Sequence, residues 1–272
     1  MTAMLVNGLP SNCIHTEDRG LSYGDGVFRT LRVRQGKPLN WQRHFAKLRH
    51  DCNAMVLDCP DQDILLDEIC QLSANRAEAV AKIIITRGCG KRGYAAPMTG
   101  SHTRVVNCQP LPQYPAELYV AGIQTQVCSI KLGHQSALAG IKHLNRLENV
   151  LAASECHKAG LHEGLLEDED RAVIGGTRSN LFLVRHGTLH TPELSLCGVA
   201  GVQRERVLDW ADQHATECKI RRLQITDLLA AEEVFLVNSL FGLWSIREFP
   251  GYLRTEHPVA TRIRNWLDKD EV

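Results

Sequence analysis

With 272 residues, 31 basic and 31 acidic side chains and 44% hydrophobic residues, the chain has material for one large or two modest packed domains. Its formal charge of zero leaves no global field to favour nucleic acid or an anionic membrane. No apolar run approaches the length of a membrane span.

The stretch from Met1 to Gly8 carries neither a charged leader nor a long apolar run, so no secretory signal is expected and the cytoplasm is the expected location. Ten cysteines (Cys13, Cys52, Cys59, Cys70, Cys89, Cys108, Cys128, Cys156, Cys197, Cys218) are scattered singly, without CxxC pairs or metal-ligand spacing. They read as small apolar fillers kept reduced.

In chain order, strand-like stretches over 4–6 and 27–33 flank a polar, glycine-rich loop from Asp18 to Gly26. Asn40 is placed to cap a helix whose apolar face is Trp41, Phe45, Leu48 and Cys52. A second helix follows Pro60, with Ile64, Leu65, Ile69 and Leu72 on one side. Residues 81–86 and 104–108 have the apolar character of buried strands. The proline-rich stretch 110–116 breaks both patterns, so domains over 1–109 and 117–272 are expected, joined by that linker.

Beyond it the pattern predicts a strand over 118–127, a helix opening at Lys142, and short strands over 164–166, 172–174 and 180–184. A helix over 202–214, strands over 233–237 and 243–246 and a terminal helix over 259–267 complete a mixed α/β chain in two parts.

The most informative stretch is Gly140-Ile141-Lys142-His143-Leu144-Asn145-Arg146-Leu147-Glu148. Leu144, Leu147, Val150, Leu151 and Ser154 recur at helical spacing, which puts Lys142 at the mouth of a helix. Unpaired N–H groups at a helix start make the surroundings electropositive. An amine there loses its proton more readily and becomes a nucleophile towards carbonyls. By itself the segment reads first as a solvated lysine at a helix entrance.

Four segments together resemble the fold-type IV enzymes of pyridoxal 5′-phosphate (PLP), a family of branched-chain and D-amino-acid aminotransferases and aminodeoxychorismate lyases. They are Tyr23-Gly24-Asp25-Gly26-Val27-Phe28, the Lys142 segment, Gly176-Thr177-Arg178-Ser179-Asn180-Leu181-Phe182, and Gly198-Val199-Ala200-Gly201-Val202-Gln203-Arg204. Two details resemble the lyase branch: Ala139 to Glu148, and Thr86-Arg87-Gly88-Cys89-Gly90-Lys91-Arg92-Gly93-Tyr94. The resemblance implies a two-domain fold-type IV protein, with an N-terminal α/β sandwich domain and a C-terminal, mixed β-barrel-like domain with helices that carries Lys142. It also implies PLP as cofactor and a homodimer.

The activity implied is the splitting of 4-amino-4-deoxychorismate into 4-aminobenzoate and pyruvate, a step of folate synthesis. Lys142 would carry the cofactor covalently and, once displaced by the substrate's ring amine, act as base at the carbon bearing that amine. Thr30, by resemblance, supplies a hydroxyl for protonating enolpyruvate; as a residue it is equally an ordinary β-branched strand position. The backbone of Val202 and Gln203 at a helix start, with the Ser239 hydroxyl, is implied to hold the phosphate, though a glycine-led helix start alone is commonplace.

Two departures from the family pattern stand out. Lys47, in His44-Phe45-Ala46-Lys47-Leu48, occupies the place of an arginine, keeping the charge and losing the planar fork. Gly175 occupies the place of the glutamate that pairs with the pyridine nitrogen. Arg87, Arg92 and Arg146 are candidates for the substrate's carboxylates, with Asn238 a further substrate contact. For Arg87 and Arg92 loop surface charge is an equal reading, and His143 reads as a packing neighbour. The alternatives left open are a branched-chain or D-amino-acid aminotransferase, or a PLP-binding protein with impaired turnover.

Overall fold

The computed structural model describes residues 3–97 and 102–269, in two compact units. The first comprises residues up to Pro112 together with Ile141–Asn145, and the second comprises Gln113–Gly140 and the chain from Arg146 onward.

The first unit runs β1 (Ala3–Val6), β2 (Leu9–Pro10), α1 (Arg19–Tyr23), β3 (Gly26–Arg34), β4 (Lys37–Pro38), α2 (Trp41–Ala54), α3 (Gln62–Ser73), β5 (Glu78–Thr86) and β6 (Thr103–Gln109). Its strands form one sheet in the order β2-β1-β6-β5-β3-β4, every pair antiparallel. β3 alternates with period two. Val27, Leu31 and Val33 join Leu48 and Cys52 of α2 and Leu65 and Ile69 of α3 in one core, with Ala81, Ile83 and Ile85 of β5. Phe28, Thr30 and Arg32, the alternate residues, are half-buried on the sheet's other face.

Two local expectations change. Asn40 precedes α2 in the left-handed region (φ 53°) and its side chain makes no capping bond. It turns the chain into the helix rather than satisfying its N–H groups. The glycine-rich loop contains α1, capped by the Asp18 carboxylate, which accepts the Gly20 N–H at 2.7 Å.

The second unit runs α4 (Glu117–Val120), β7 (Ile123–Gln124), β8 (Val127–Leu132), α5 (Leu147–Lys158), β9 (Leu165–Asp168), β10 (Val173–Gly176), β11 (Asn180–Arg185) and β12 (Thr188–Pro192). It continues through α6 (Val202–Gln213), β13 (Cys218–Arg221), α7 (Ile225–Leu229), β14 (Glu233–Asn238), β15 (Gly242–Phe249), β16 (Tyr252–Leu253) and α8 (Pro258–Lys269). The strand expected over 118–127 is instead α4 and β7, because Pro115 opens a helical turn and Gly122, at φ 78°, ends it.

One sheet has the order β13-β12-β11-β14-β15-β16, with β7 added beside β15; a smaller sheet has the order β10-β9-β8. Leu181, Leu183, Val234, Leu236, Trp244 and Ile246 face one core, while Phe182, Val184, Phe235 and Val237 face α6 and α8 in another. Both faces of β11 and β14 are therefore covered, which explains their unbroken apolar runs.

Candidate active site

Residues 141–145 form a short extended segment along the start of β3. The Phe28 N–H donates to the Lys142 carbonyl at 2.9 Å, the Leu144 N–H to Gly26 at 2.9 Å, and Val27 pairs with His143 as an antiparallel bridge. Lys142 thus lies in a short segment bridged to β3, not at a helix mouth, and α5 begins only at Leu147. Arg146, at the N-cap of α5, therefore does not share a helix with Lys142. The apolar stripe at helical spacing is the exposed face of α5: Leu147, Val150 and Leu151 are 76, 54 and 57% exposed, and Ala152 and Cys156 make the buried face. Pairing with β3 overrides the local helical pattern, which only sees sequence spacing.

The setting of the amine is therefore aromatic and cationic rather than a helix end. The Lys142 Nζ lies 4.4 Å from the centre of the Phe28 ring, and the Lys82 Nζ lies 5.1 Å from it. Lys82 is the cross-strand partner of Thr30. Two amines, one ring and one hydroxyl share this side of the sheet. Sequence reasoning passes over Lys82; its signal is a lone cation within the apolar run of β5.

Asp51 of α2, 1% exposed, accepts the Lys142 backbone N–H at 3.0 Å and pairs with Arg29. Arg29 also donates to the Lys47 carbonyl at 3.2 Å.

Arg87 donates to Asp25 at 2.8 Å and to the carbonyls of Met55 and Val56 at 2.8 and 2.7 Å, so its guanidinium ties three segments of the fold together. Arg19 shares Asp25 at 2.9 Å and reaches the carbonyls of Gly93 and Tyr94 at 2.8 and 2.9 Å. The Tyr23 hydroxyl accepts the Gly93 N–H at 3.2 Å, which helps hold the loop carrying the exposed Arg92. Burial raises the pKa of Asp25, but the hydrogen bonds from Arg87 and Arg19 outweigh it and hold the carboxyl below its ordinary value of 3.8.

In the second unit, α6 starts at Val202 with Gly201 before it, and no side chain caps the helix. The N–H groups of its first turn, Val202 and Gln203 among them, have no acceptor within the helix, and both residues are buried. The Asn180 side chain accepts the Gly201 N–H at 3.2 Å and donates to the Val199 carbonyl at 2.8 Å. A Cβ at Gly201 would overlap that Asn180 oxygen, so the loop comes this close only as glycine.

Ser239 lies in the turn between β14 and β15. Asn238 closes this turn, its side-chain oxygen accepting the N–H groups of Leu240 and Phe241, both at 2.9 Å. Arg146 stands at the N-cap of α5 and donates to Asn149 at 3.5 Å.

Gly175 is buried in β10. A second feature missed from sequence lies beside it: the buried Glu163 accepts the Thr177 N–H at 2.7 Å and the hydroxyls of Thr177 and Ser179, fixing the turn from Gly176 to Asn180.

Taken unit by unit, the residues offer donor chemistry that PLP would need. Lys142 offers an amine for the aldehyde, and the buried, uncapped start of α6 offers N–H donors for the phosphate. Gly175 has no side chain to offer a pyridine nitrogen, and the Glu163 carboxylate is already taken by the turn.

The chain belongs to the class IV amino-transferase family, whose model matches residues 26–249. Within it, the chain is 34% identical to the aminodeoxychorismate lyase of Vibrio harveyi, over 88% of each sequence. The crystal structure of 4-amino-4-deoxychorismate lyase from Pseudomonas aeruginosa superposes with a TM-score of 0.93 at 40% identity, covering 98% of both chains. A putative branched-chain-amino-acid aminotransferase of Methanocaldococcus jannaschii is 27% identical over 86% of this chain and 82% of its own.

Proposed function

We propose that this chain is a PLP-dependent lyase that converts 4-amino-4-deoxychorismate into 4-aminobenzoate and pyruvate. The observation that carries the reading is the shared face of Lys142, Phe28, Thr30 and Lys82, in a chain 40% identical to a lyase of that name. When bound, PLP supplies an aldehyde that captures the substrate amine and a conjugated ring that accepts electron density as a proton leaves.

The rest falls to the chain's own residues. Lys142 would hold the cofactor through its Nζ and would stand beside the substrate as a free amine. Its free Nζ then takes the proton from the ring carbon bearing that amine. As that proton leaves, the bond between the ring and the enolpyruvyl oxygen breaks and the ring becomes aromatic. Thr30 then delivers a proton to the methylene carbon of enolpyruvate, giving pyruvate.

The substrate's two carboxylates call for cations. Lys82 is proposed for one, on geometry, with Arg92 and Arg146 as the other hosts and Asn238 as a neighbouring contact. Arg87 is engaged with Asp25, Met55 and Val56, which supports a role in shaping the loop instead. The N–H groups of Val202 and Gln203, the Ser239 hydroxyl and Lys47 are proposed to hold the phosphate.

A homodimer belongs to the same reading, supported by the exposed apolar face of α5. Borohydride reduction followed by peptide mass spectrometry should place a pyridoxyl adduct on Lys142, and the protein should release pyruvate from aminodeoxychorismate without any keto acid. An adduct elsewhere, or an absolute need for a keto acid, would overturn the proposal, the latter in favour of an aminotransferase.

A further inference from the structure

We infer that the buried Arg29–Asp51 pair is a positioning device for Lys142, holding the backbone of the amine-bearing segment in place; its catalytic meaning rests on the function proposed above. Both side chains are almost fully buried, Arg29 at 2% and Asp51 at 1% exposure. A buried ion pair gains little stability over well-packed apolar residues of the same volume, so stability alone does not account for it. What an apolar pair would lack is the acceptor.

The geometry of that acceptor is specific. The two hydrogen bonds to β3 use the Lys142 carbonyl and the Leu144 N–H, but not the Lys142 N–H. That donor goes to the same Asp51 oxygen, Oδ2, that receives the Arg29 Nη2, and the same Nη2 donates to the Lys47 carbonyl. One carboxylate oxygen and one guanidinium nitrogen therefore join β3, α2 and the 141–145 segment. They fix the main chain at both lysines proposed to meet the cofactor. Asp51 is a positioning residue that acts through the Lys142 backbone.

Two neutral double variants isolate the acceptor. Arg29→Met with Asp51→Asn keeps an oxygen for the Lys142 N–H, whereas Arg29→Met with Asp51→Leu removes it on the same branched skeleton. In the cofactor-free proteins, hydrogen exchange at the Lys142 amide should match the parent in the asparagine pair and be about tenfold faster in the leucine pair, equivalent to about 1.4 kcal/mol. With PLP added, the leucine pair should bind it about tenfold more weakly and lose kcat rather than KM, and the asparagine pair should stay within about threefold of the parent.

Equal exchange and equal PLP affinity in the two pairs would overturn the inference and leave the ion pair purely structural. Should the leucine pair not fold, the parent alone decides. Its Lys142 amide must be protected as well as that of Leu144, and exchange at the rate of an open loop would refute the role. An adduct mapped to another lysine would refute the function proposed above while leaving the amide result standing.

Discussion

Replacing Gly175 by glutamate would put a carboxylate where the family pattern has one, but the backbone opposes it. A Cβ built on Gly175 comes 2.7 Å from the Ser179 carbonyl oxygen, well inside contact distance. That carbonyl accepts the Gly176 N–H at 2.9 Å and closes the turn leading into β11, so it cannot withdraw without breaking the bond. Overpacking of this kind costs about 1–3 kcal/mol. For a chain of this size each kcal/mol lowers Tm by about 2–4 °C.

Gly175→Ala carries the steric cost alone, so its apo Tm should fall by about 2–12 °C. Gly175→Glu adds a buried charge and should fall further without cofactor. PLP should then raise the Tm of the glutamate variant more than that of the alanine variant, because a protonated pyridine nitrogen gives the carboxylate a partner. Thermal melts with and without PLP, alongside lactate-dehydrogenase-coupled pyruvate release, read all of this. An alanine variant as stable as the parent would refute the steric argument. Equal PLP-induced shifts in the two variants would refute the pairing.

Other consequences are open to simpler tests. Asp25→Asn leaves two guanidinium groups without their shared carboxylate and should cost about 3 kcal/mol near neutral pH in urea melts. Because the folded pKa of Asp25 lies below its ordinary 3.8, its contribution is complete above that value and lost as pH falls through the lower one. The difference between parent and variant should therefore shrink only below about pH 4, and a difference already shrinking between pH 7 and 5 would contradict the assignment. Gly201→Ala pushes on Asn180 at the start of α6 and should weaken PLP binding about tenfold by fluorescence titration; an unchanged constant would remove that loop from the phosphate site. Thr30→Val should lower kcat about a hundredfold with KM nearly constant while Thr30→Ser recovers most of it, and equal losses in the two would point to packing instead.

What could be read from sequence follows from where local pattern and tertiary structure agree. β3 and β5 announce themselves through apolar residues, and α2 and α3 through one-sided apolar spacing, because each element buries a single face. The Lys142 segment reads wrongly for a physical reason. Leu147, Val150 and Leu151 do repeat at helical spacing, but they face outward, and the residues before them are drawn into extended pairing by β3 and Asp51. Nothing in the one-dimensional pattern distinguishes a stripe bound for the core from one left on the surface. Arg87 is visible as a cation near the right motif, but only coordinates show its contacts with Asp25, Met55 and Val56. The Arg29–Asp51 pair joins residues 22 positions apart and leaves no local signature.

Among the described residues the chain returns to its first unit over Ile141–Asn145, long after the strands of that unit have been made. A ribosome must therefore extend the polypeptide past Pro112 and through several elements of the second unit before the edge of β3 at Val27 can find its partner. Until then that edge is an open template for foreign strands. A nascent or truncated chain ending near Pro112 leaves that edge without its partner, and the residue that closes the gap is the neighbour of the lysine on which the proposed chemistry depends.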